Sequence, residues 1–273
     1  MLFAFLILTT MLETWRLIID DPCDGATNMA RDEAIATVHA AGATPPTLRL
    51  YRWQPACLSL GRFQRSGEID REACARRSIA IVRRPSGGRA LLHDEELTYA
   101  IIVRDDHPLL GGESILASYR QISLALRDGL RRLGVAAELT PVERERRAGG
   151  SAACFDAPAS YELTVVGRKI AGSAQTRRDG VLLQHGAIPL APHANRLAAL
   201  IRHPPEDLDA KMIALSDACG QTVCFEELAE ALVAGFAATW NIAFAPGALT
   251  DAEQQEVRLR AEKYADSGWT FAR

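Results

Sequence analysis

Long apolar segments are scarce in this chain of 273 residues. Residues 1–12 are apolar except for Thr9 and Thr10, but a bilayer span needs ~20 such residues. They also lack the basic start and the small-residue cleavage site of a signal peptide. We therefore expect no membrane partner. We interpret residues 1–12 as an apolar extension, either a start assigned too early, with Met11 as the alternative to Met1, or a disordered end; an interfacial anchor is the competing interpretation.

An excess of positive charge is also missing. The chain has 31 Lys and Arg against 34 Asp and Glu, for a formal net charge of −3. Nucleic-acid binders usually concentrate Lys and Arg into a strongly basic face, and no long stretch of this chain does so. We therefore expect no nucleic-acid partner.

Metal and cofactor motifs are missing too. The six cysteines are scattered, with no CxxC pair and no paired histidine spacing, and they are Cys23, Cys57, Cys74, Cys154, Cys219 and Cys224. This pattern predicts no metal site, and unpaired thiols in a chain of this length fit a reducing cytoplasm better than a disulfide scaffold. Walker A and GxGxxG motifs are absent, and we expect no cofactor.

What the chain does have is apolar material for a sizeable core, since 48% of its residues are hydrophobic. Alternating and β-branched runs predict strands at residues 15–19, 47–53, 58–61, 80–83, 97–103, 161–165, 168–174 and 181–188. Helical spacing predicts helices at residues 27–42, 113–133, 208–215, 225–240 and 251–264. Strands joined by short hairpins, with helices in separate runs, indicate an α+β fold with mixed or antiparallel sheets and flanking helices.

One thiol has an unusual context. Cys154 ends a run of small residues that starts at Gly149, and Lys169 follows fifteen positions later in an apolar, strand-like segment. A thiol of pKa ~8.5 is mostly protonated at neutral pH, and a nearby ammonium group lowers that pKa and yields the reactive thiolate. The competing interpretations are an inert small hydrophobe for Cys154 and a solvated hairpin residue for Lys169.

A second candidate segment joins a strand end to a glycine pair. Arg83 and Arg84 close the strand, and Gly87 and Gly88 follow. Adjacent glycines permit positive φ and let a ligand lie against bare backbone, although a plain β-turn has the same sequence. His93 and His185 are candidate acid–base groups, or structural histidines with satisfied hydrogen bonds.

The segments in this order resemble the biotin/lipoate protein ligase superfamily. The resemblance covers roughly residues 13–200 and rests on the stretches 15–18, 24–34, 50–64, 83–94, 167–175 and 184–188. It implies a catalytic domain like those of class II aminoacyl-tRNA synthetases and biotin ligases over residues 13–250, followed by a C-terminal helical tail at residues 251–273. Any one of these motifs alone would be weak, whereas the ordered set is specific.

Within that superfamily, residues 154–162 resemble the octanoyl-[acyl-carrier-protein]:protein N-octanoyltransferase branch of lipoate biosynthesis. The resemblance implies that Cys154 accepts the acyl group as a thioester and that Lys169 activates it. It also implies that a group of residues borders the acyl chain, namely Arg83, Arg84, Gly87, Gly88 and His93. We place Gly172, Ser173 and His185 with them as substrate-binding residues.

The same resemblance implies two protein partners. The donor would be octanoyl-acyl carrier protein, and the acceptor a lipoyl domain such as the glycine cleavage H protein. Acyl carrier proteins are acidic, and the arginine-rich loops would either meet them or be ordinary solvated surface; these arginines are Arg144, Arg146, Arg147, Arg177 and Arg178.

Three other functions remain open at this point. An ATP-dependent lipoate ligase would use Lys169 at an acyl-adenylate. An amidotransferase would move octanoyl from one lipoyl domain to another through Cys154. A non-enzymatic binding module would keep the fold alone.

Overall fold

The computed structural model describes residues 12–110, 114–141 and 161–273. The strands, numbered in chain order, are β1 Glu13–Ile19, β2 Thr47–Tyr51, β3 Cys57–Leu60, β4 Ala80–Arg83, β5 Leu91–His93, β6 Glu96–Arg104, β7 Glu138–Leu139, β8 Leu163–Val165, β9 Arg168–Lys169, β10 Gly172–Arg178, β11 Val181–Pro189 and β12 Ile242–Pro246. The helices are α1 Gly25–Ala40, α2 Arg71–Arg76, α3 Ile115–Arg132, α4 Ala194–Ala198, α5 Leu208–Lys211, α6 Leu215–Cys219, α7 Phe225–Trp240, α8 Asp251–Ala265 and α9 Ser267–Thr270.

A mixed six-stranded sheet forms the centre of the molecule, in the order β10-β11-β6-β2-β1-β12. Strand β1 pairs in parallel with β2 and β12, whereas the other neighbours are antiparallel. Two smaller sheets, β4-β3-β5 and β7-β8-β9, lie beside it. The predicted α+β class with mixed sheets and flanking helices is confirmed.

The pleat of the central strands divides the core in two, because successive side chains point to opposite faces of a sheet. Along β6, Leu97, Tyr99, Ile101 and Val103 face the cluster built with α3 and α7. Ala100 and Ile102 pack with Met29 and Ile35 of α1 in the cluster on the other face. The long run of β6 is therefore buried on both sides.

The C-terminal helix α8 packs against α1. Thr250 caps α8, and Glu253 near its start receives two hydrogen bonds from Arg16, one of them at 2.8 Å. At the other end, Tyr264 is buried in the same cluster as Met29. Residues 251–265 thus cover the outer side of α1.

Two turns have the positive φ values that glycine favours. Gly134 has a φ of +79° two residues after the last residue of α3 and ends that helix. Val166 and Gly167 have φ values of +50° and +74° and join β8 to β9. Two successive left-handed residues make the tight hairpin turn whose twist matches that of the strands.

Two predicted elements are interrupted. The predicted strand 168–174 is two strands, because the chain leaves the small sheet after Lys169 and enters the large sheet at Gly172. The predicted helix 208–215 is broken at Met212, where the backbone becomes extended and the amide of Ile213 donates to the Lys169 carbonyl at 3.0 Å. A bond to a neighbouring strand replaces the helical one.

Within the described ranges, none of the helices has the length and apolarity that crossing a membrane requires.

Candidate active site

A pocket of about 310 Å³ opens between α1, the β3–β5 sheet and the β10–β11 strand pair. We call it the polar pocket. Five of the residues predicted to bind substrate line it, namely Arg84, His93, Gly172, Ser173 and His185. The sequence did not single out its remaining lining residues, which are Met29, Tyr51, Trp53, Ser59, Leu91, Thr98, Ala174 and Gly186.

His93 is held between two buried partners. Its Nδ1 lies 2.6 Å from Glu96 Oε1 and donates to that carboxylate, and its Nε2 lies 2.8 Å from the Ser59 hydroxyl. The ring of Trp53 stacks on it at a centroid distance of 3.9 Å. The position and orientation of the imidazole are therefore fixed, as a pocket wall requires.

His185 is fixed by a second buried network. The Asp32 carboxylate, 2.9 Å from Nδ1, accepts the ring proton, and the Ser86 hydroxyl lies at Nε2. Burial lowers the pKa of His185 below its ordinary value, although Asp32 acts in the opposite direction. In a neutral ring with its proton on Nδ1, Nε2 accepts a hydrogen bond from the Ser86 hydroxyl. This bond links the loop that contains Gly87 and Gly88 to β11.

Asp32 is the centre of that network. Burial acts to raise its pKa, but Arg49 and His185 together hold the pKa below the ordinary value. Arg49 Nη1 donates to the carboxylate at 2.6 Å, and the Tyr51 hydroxyl donates to it at 2.9 Å. Both side chains of the Asp32–Arg49 pair are fully buried. A charged aspartate thus sits beneath the pocket with every neighbour donating to it.

The predicted glycine loop has the close packing that glycine permits. Gly88 has a φ of +86°, and a Cβ there would lie 2.9 Å from the Arg84 guanidinium. A Cβ on Gly61 would lie 1.9 Å from the Gly88 carbonyl oxygen. Arg84 donates to the carbonyls of Gly87 and Arg89 at 2.8 and 2.7 Å, so this loop is tied to the pocket wall.

Arg83 lies apart from the polar pocket. Its buried guanidinium donates to backbone carbonyls of residues 61, 62, 64 and 270. Gly87 likewise lines a different concavity, described below. The structure thus brings Arg84, His93 and His185 together and leaves Arg83 as a ligand of loop carbonyls.

Lys169 is buried on β9 beside a carboxylate. Its Nζ donates to Glu162 Oε1 at 2.6 Å, and both side chains are about 95% buried. Glu162 was not among the residues predicted from the sequence. Thr164 pairs with Lys169, so Glu162, two residues before Thr164, shares the Lys169 face and lies diagonally across the hairpin. That register was the signal that could have identified it.

Several predicted residues lie outside the described ranges. They are Cys154 and the arginines at 144, 146 and 147. Among the described residues, no group of three His, Cys, Asp or Glu side chains is arranged to hold a metal ion.

Comparison with family models and with curated proteins gives a consistent result. Residues 24–237 match the model described as the lipoyl protein ligase A/B catalytic domain. Octanoyltransferase LipM of Moorella thermoacetica is 43% identical over 94% of this chain and 97% of its own length. Octanoyltransferase LipM of Geobacillus kaustophilus is 44% identical, with 96% and 99% covered.

Solved structures share the fold at lower identity. A lipoate-protein ligase A bound with ATP superposes with a TM-score of 0.81 at 26% identity, covering 94% of this chain and 98% of that chain. A bipartite lipoate protein ligase from Thermoplasma acidophilum, described with its E2 lipoyl domain, gives a TM-score of 0.77 at 26% identity, with 95% and 96% covered.

Proposed function

This chain belongs to the lipoyl protein ligase A/B catalytic domain family and is an acyltransferase, and from that membership we propose that it transfers octanoyl groups in lipoate biosynthesis. The observation that carries the proposal is the match of more than 40% identity to octanoyltransferases over nearly the whole length of both chains. We propose octanoyl-acyl carrier protein as the donor, a lipoyl-domain lysine as the acceptor, and a thioester on Cys154 as the intermediate.

Three of the described cysteines are poor candidates for the nucleophile. Burial raises the pKa of Cys57, of Cys74 (to about 11) and of Cys219. Such thiols are protonated at neutral pH and react slowly. We keep Cys154 as the nucleophile because the family resemblance implies it.

The proposed chemistry has two acyl transfers. The Cys154 thiolate attacks the thioester carbonyl carbon, the bond to the carrier sulfur breaks, and the carrier thiolate leaves and takes up a proton. The neutral acceptor amine then attacks the acyl-enzyme, an amide forms, the amine loses a proton and Cys154 leaves as thiolate. Thioester exchange is nearly isoenergetic, and the conversion of thioester to amide drives the sequence.

Lys169 would stabilise negative charge in both acyl transfers. Its ammonium would stabilise the thiolate or donate to the carbonyl oxygen under attack, and Glu162 would orient it by the 2.6 Å bond. Backbone N–H groups near Gly172 and Ser173, or near Gly87 and Gly88, are our candidates for the remaining oxyanion donors. Such a donor typically stabilises the transition state by ~3 kcal/mol.

The polar pocket is our candidate for the acyl site. Met29, Trp53 and Leu91 supply apolar walls, and His93 and His185 supply fixed polar ones. Because each buried CH₂ contributes ~0.8 kcal/mol, a closed apolar end would select for chain length.

Intact-mass spectrometry tests the intermediate. After incubation with octanoyl-acyl carrier protein, we expect the mass of one octanoyl group on the wild-type protein and on a Cys224→Ser control, whose cysteine is exposed. We expect no adduct on Cys154→Ser. An adduct that persists in Cys154→Ser would contradict the assignment.

The ATP-bound ligase among the structural relatives makes ATP-dependent lipoylation the second candidate. ATP and free lipoate, without carrier protein, would then modify an acceptor domain. We expect no modification under these conditions. Replacing octanoyl-acyl carrier protein by an octanoylated lipoyl domain separates the transferase from an amidotransferase, which would accept the lipoyl domain as donor.

A further inference from the structure

A second and larger concavity lies at the other end of the β10–β11 strand pair. This arginine cleft, of about 1470 Å³, is lined on β10 by residues 175–178 and on β11 by Val181 and Leu183. The lining of the polar pocket begins at Ala174 on β10 and at His185 on β11. Gly87 lines the cleft, whereas Arg84 lines the pocket. The two concavities therefore follow one another along the same strands, on either side of the glycine loop.

Positive charge predominates in the arginine cleft. Its lining includes Arg62, Arg178 and Arg260 and two carboxylates, from Glu33 and Asp179. Arg177 also lines it, but its guanidinium donates to the Ser118 hydroxyl of α3. Glu33 is shared among three cations, since Lys263 lies 2.6 Å, Arg178 3.7 Å and Arg260 3.8 Å from it. Glu256 pairs with Arg260. With Lys263 and Glu256 of α8 counted, four positive groups outnumber three negative ones.

The cations are crowded enough to affect one another. Burial lowers the pKa of Lys263, and Arg62 and Arg178 lower it further, although Glu33 opposes them. Arg62 stacks on the Trp269 ring at 4.4 Å, which holds its guanidinium at the cleft. A cluster of this kind would be stabilised by an incoming negative charge.

The cleft also has an apolar component. Phe63 is 68% exposed at its edge, and Ala36, Ala40 and Leu183 contribute to its wall. Cationic and apolar groups together match an acidic protein that carries its acyl group on a long, largely neutral arm. An acceptor lysine has only a four-carbon stem and does not need a long channel between its own domain and the pocket.

We propose that the arginine cleft docks the acidic acyl-carrying donor protein, so that its arm runs along β10 and β11 past Gly87 into the polar pocket. This inference rests on the proposed function. It assigns a role to α8 and α9, because Arg260, Lys263 and Trp269 come from these helices. Residues 251–273 would then complete the donor site.

Two variants and a control test the proposal. Arg178→Glu reverses a charge that is 72% exposed, and Arg62→Met removes a charge while keeping apolar contact with Trp269. Arg132→Glu is the matched control, because this exposed arginine on α3 pairs with Asp128 away from the cleft. Melting curves check that each variant is folded. Each protein is assayed for binding of octanoyl-acyl carrier protein and for octanoyl transfer from it, and for transfer from octanoyl-pantetheine, which has no protein part.

For Arg178→Glu we expect about a tenfold rise in the dissociation constant and KM of octanoyl-acyl carrier protein at low salt, and for Arg62→Met a severalfold rise. Both rises should shrink as salt is added. KM values for octanoyl-pantetheine and for the acceptor domain should stay unchanged, and Arg132→Glu should match the wild type throughout.

Equal binding of the carrier protein by wild type and both variants would overturn the docking site, as would a selective rise in the acceptor KM. If both variants lost transfer activity equally with octanoyl-acyl carrier protein and with octanoyl-pantetheine, Arg62 and Arg178 would act in the reaction and not in docking. That result would also overturn the docking site. Failure of the proposed function looks different: the wild type would then bind the carrier protein in the cleft without transferring octanoyl from it.

Discussion

The two faces of the central sheet use the same strands for different purposes. On β2, Leu48 and Leu50 belong to the cluster under α3 and α7, whereas Arg49 and Tyr51 face α1 and reach Asp32. The first face is mainly apolar packing. The second carries a buried charge network directly beneath the polar pocket. The contrast predicts that substitutions on the first face change stability alone, and that those on the second change stability and chemistry together.

The largest effect is expected on the charged face. Asp32→Ala removes the fully buried carboxylate that accepts from Arg49, Tyr51 and His185, and it leaves the partly exposed Asp20 as the remaining countercharge of Arg49. Breaking a buried ion pair by removing one partner costs about 3–5 kcal/mol. Asp20→Ala is the control, because Asp20 is partly exposed and Arg49 keeps Asp32. Urea unfolding should show the larger loss for Asp32→Ala, together with reduced octanoyl transfer by the remaining folded protein. If Asp32→Ala and Asp20→Ala lost equal stability, Asp32 would matter no more to the fold than Asp20.

The apolar face should respond in stability only. A Cβ on Gly235 of α7 would lie 2.4 Å from the Gly129 amide nitrogen of α3, so Gly235→Val forces the helices apart. Overpacking of this kind costs about 1–3 kcal/mol. We expect the unfolding midpoint to fall while transfer per folded molecule is unchanged. Gly67→Ala, which meets nothing within 4 Å, is the control. If Gly235→Val lost as much transfer activity as Asp32→Ala, the two faces of the sheet would not differ in their effect on the chemistry.

A substitution at Gly186 should give a mixed result, because the residue lines the polar pocket while an added Cβ would point to the first face, beside Tyr99. A Cβ there would lie 2.6 Å from Ser173 Oγ and 2.7 Å from the Gly172 carbonyl. We expect Gly186→Ala to raise the KM for the octanoyl donor about tenfold and to cost about 1–2 kcal/mol of stability. Steady-state kinetics and urea unfolding measure both. An unchanged KM would place the acyl group elsewhere.

The smallest effect is a dependence on pH. Burial lowers the pKa values of His39, His185 and His193 below the ordinary 6.5. The unfolded state therefore binds more protons between the folded pKa and 6.5, and stability rises with pH through that window and levels off above it. We expect the free energy of unfolding to fall as pH drops from 7 to 5, by at most about 1.4 kcal/mol per pH unit for each histidine.

His185→Gln should reduce that slope, whereas a variant of the exposed His203 should not. Urea unfolding at a series of pH values provides the comparison. A stability that does not change between pH 7 and 5 would contradict the assignment of buried, neutral histidines.

Local patterns predicted much of the fold. The helices α7 and α8 and the strand β6 are long enough for their periodicity to be read directly, and Gly134 and Gly167 mark the ends of elements by the backbone they require. Short elements that depend on distant partners were missed. Strand β12 exists because it pairs with β1, which lies more than 200 residues earlier in the chain.

The residues of the candidate site were likewise predicted where local motifs contain them and missed where distant parts of the chain meet. His93 and His185 were predicted as substrate-binding residues because they belong to ordered motifs, and both line the polar pocket. Their partners were not found, because Asp32 lies 153 positions from His185 and reaches it only through tertiary packing. Arg83 and Arg84 are neighbours in one motif, yet consecutive strand residues point to opposite sides, and only Arg84 reaches the pocket.

The strand that carries Lys169 depends on a distant segment of the chain. Arg168 donates to the carbonyls of Met212 and Asp209 at 3.0 Å, and the Ile213 amide donates to Lys169. Strand β9 has only two residues, so local opening of residues 208–213 would free one edge of this strand before the whole protein unfolds. Deuterium uptake at the Ile213 amide should therefore report how often the edge beside Lys169 opens.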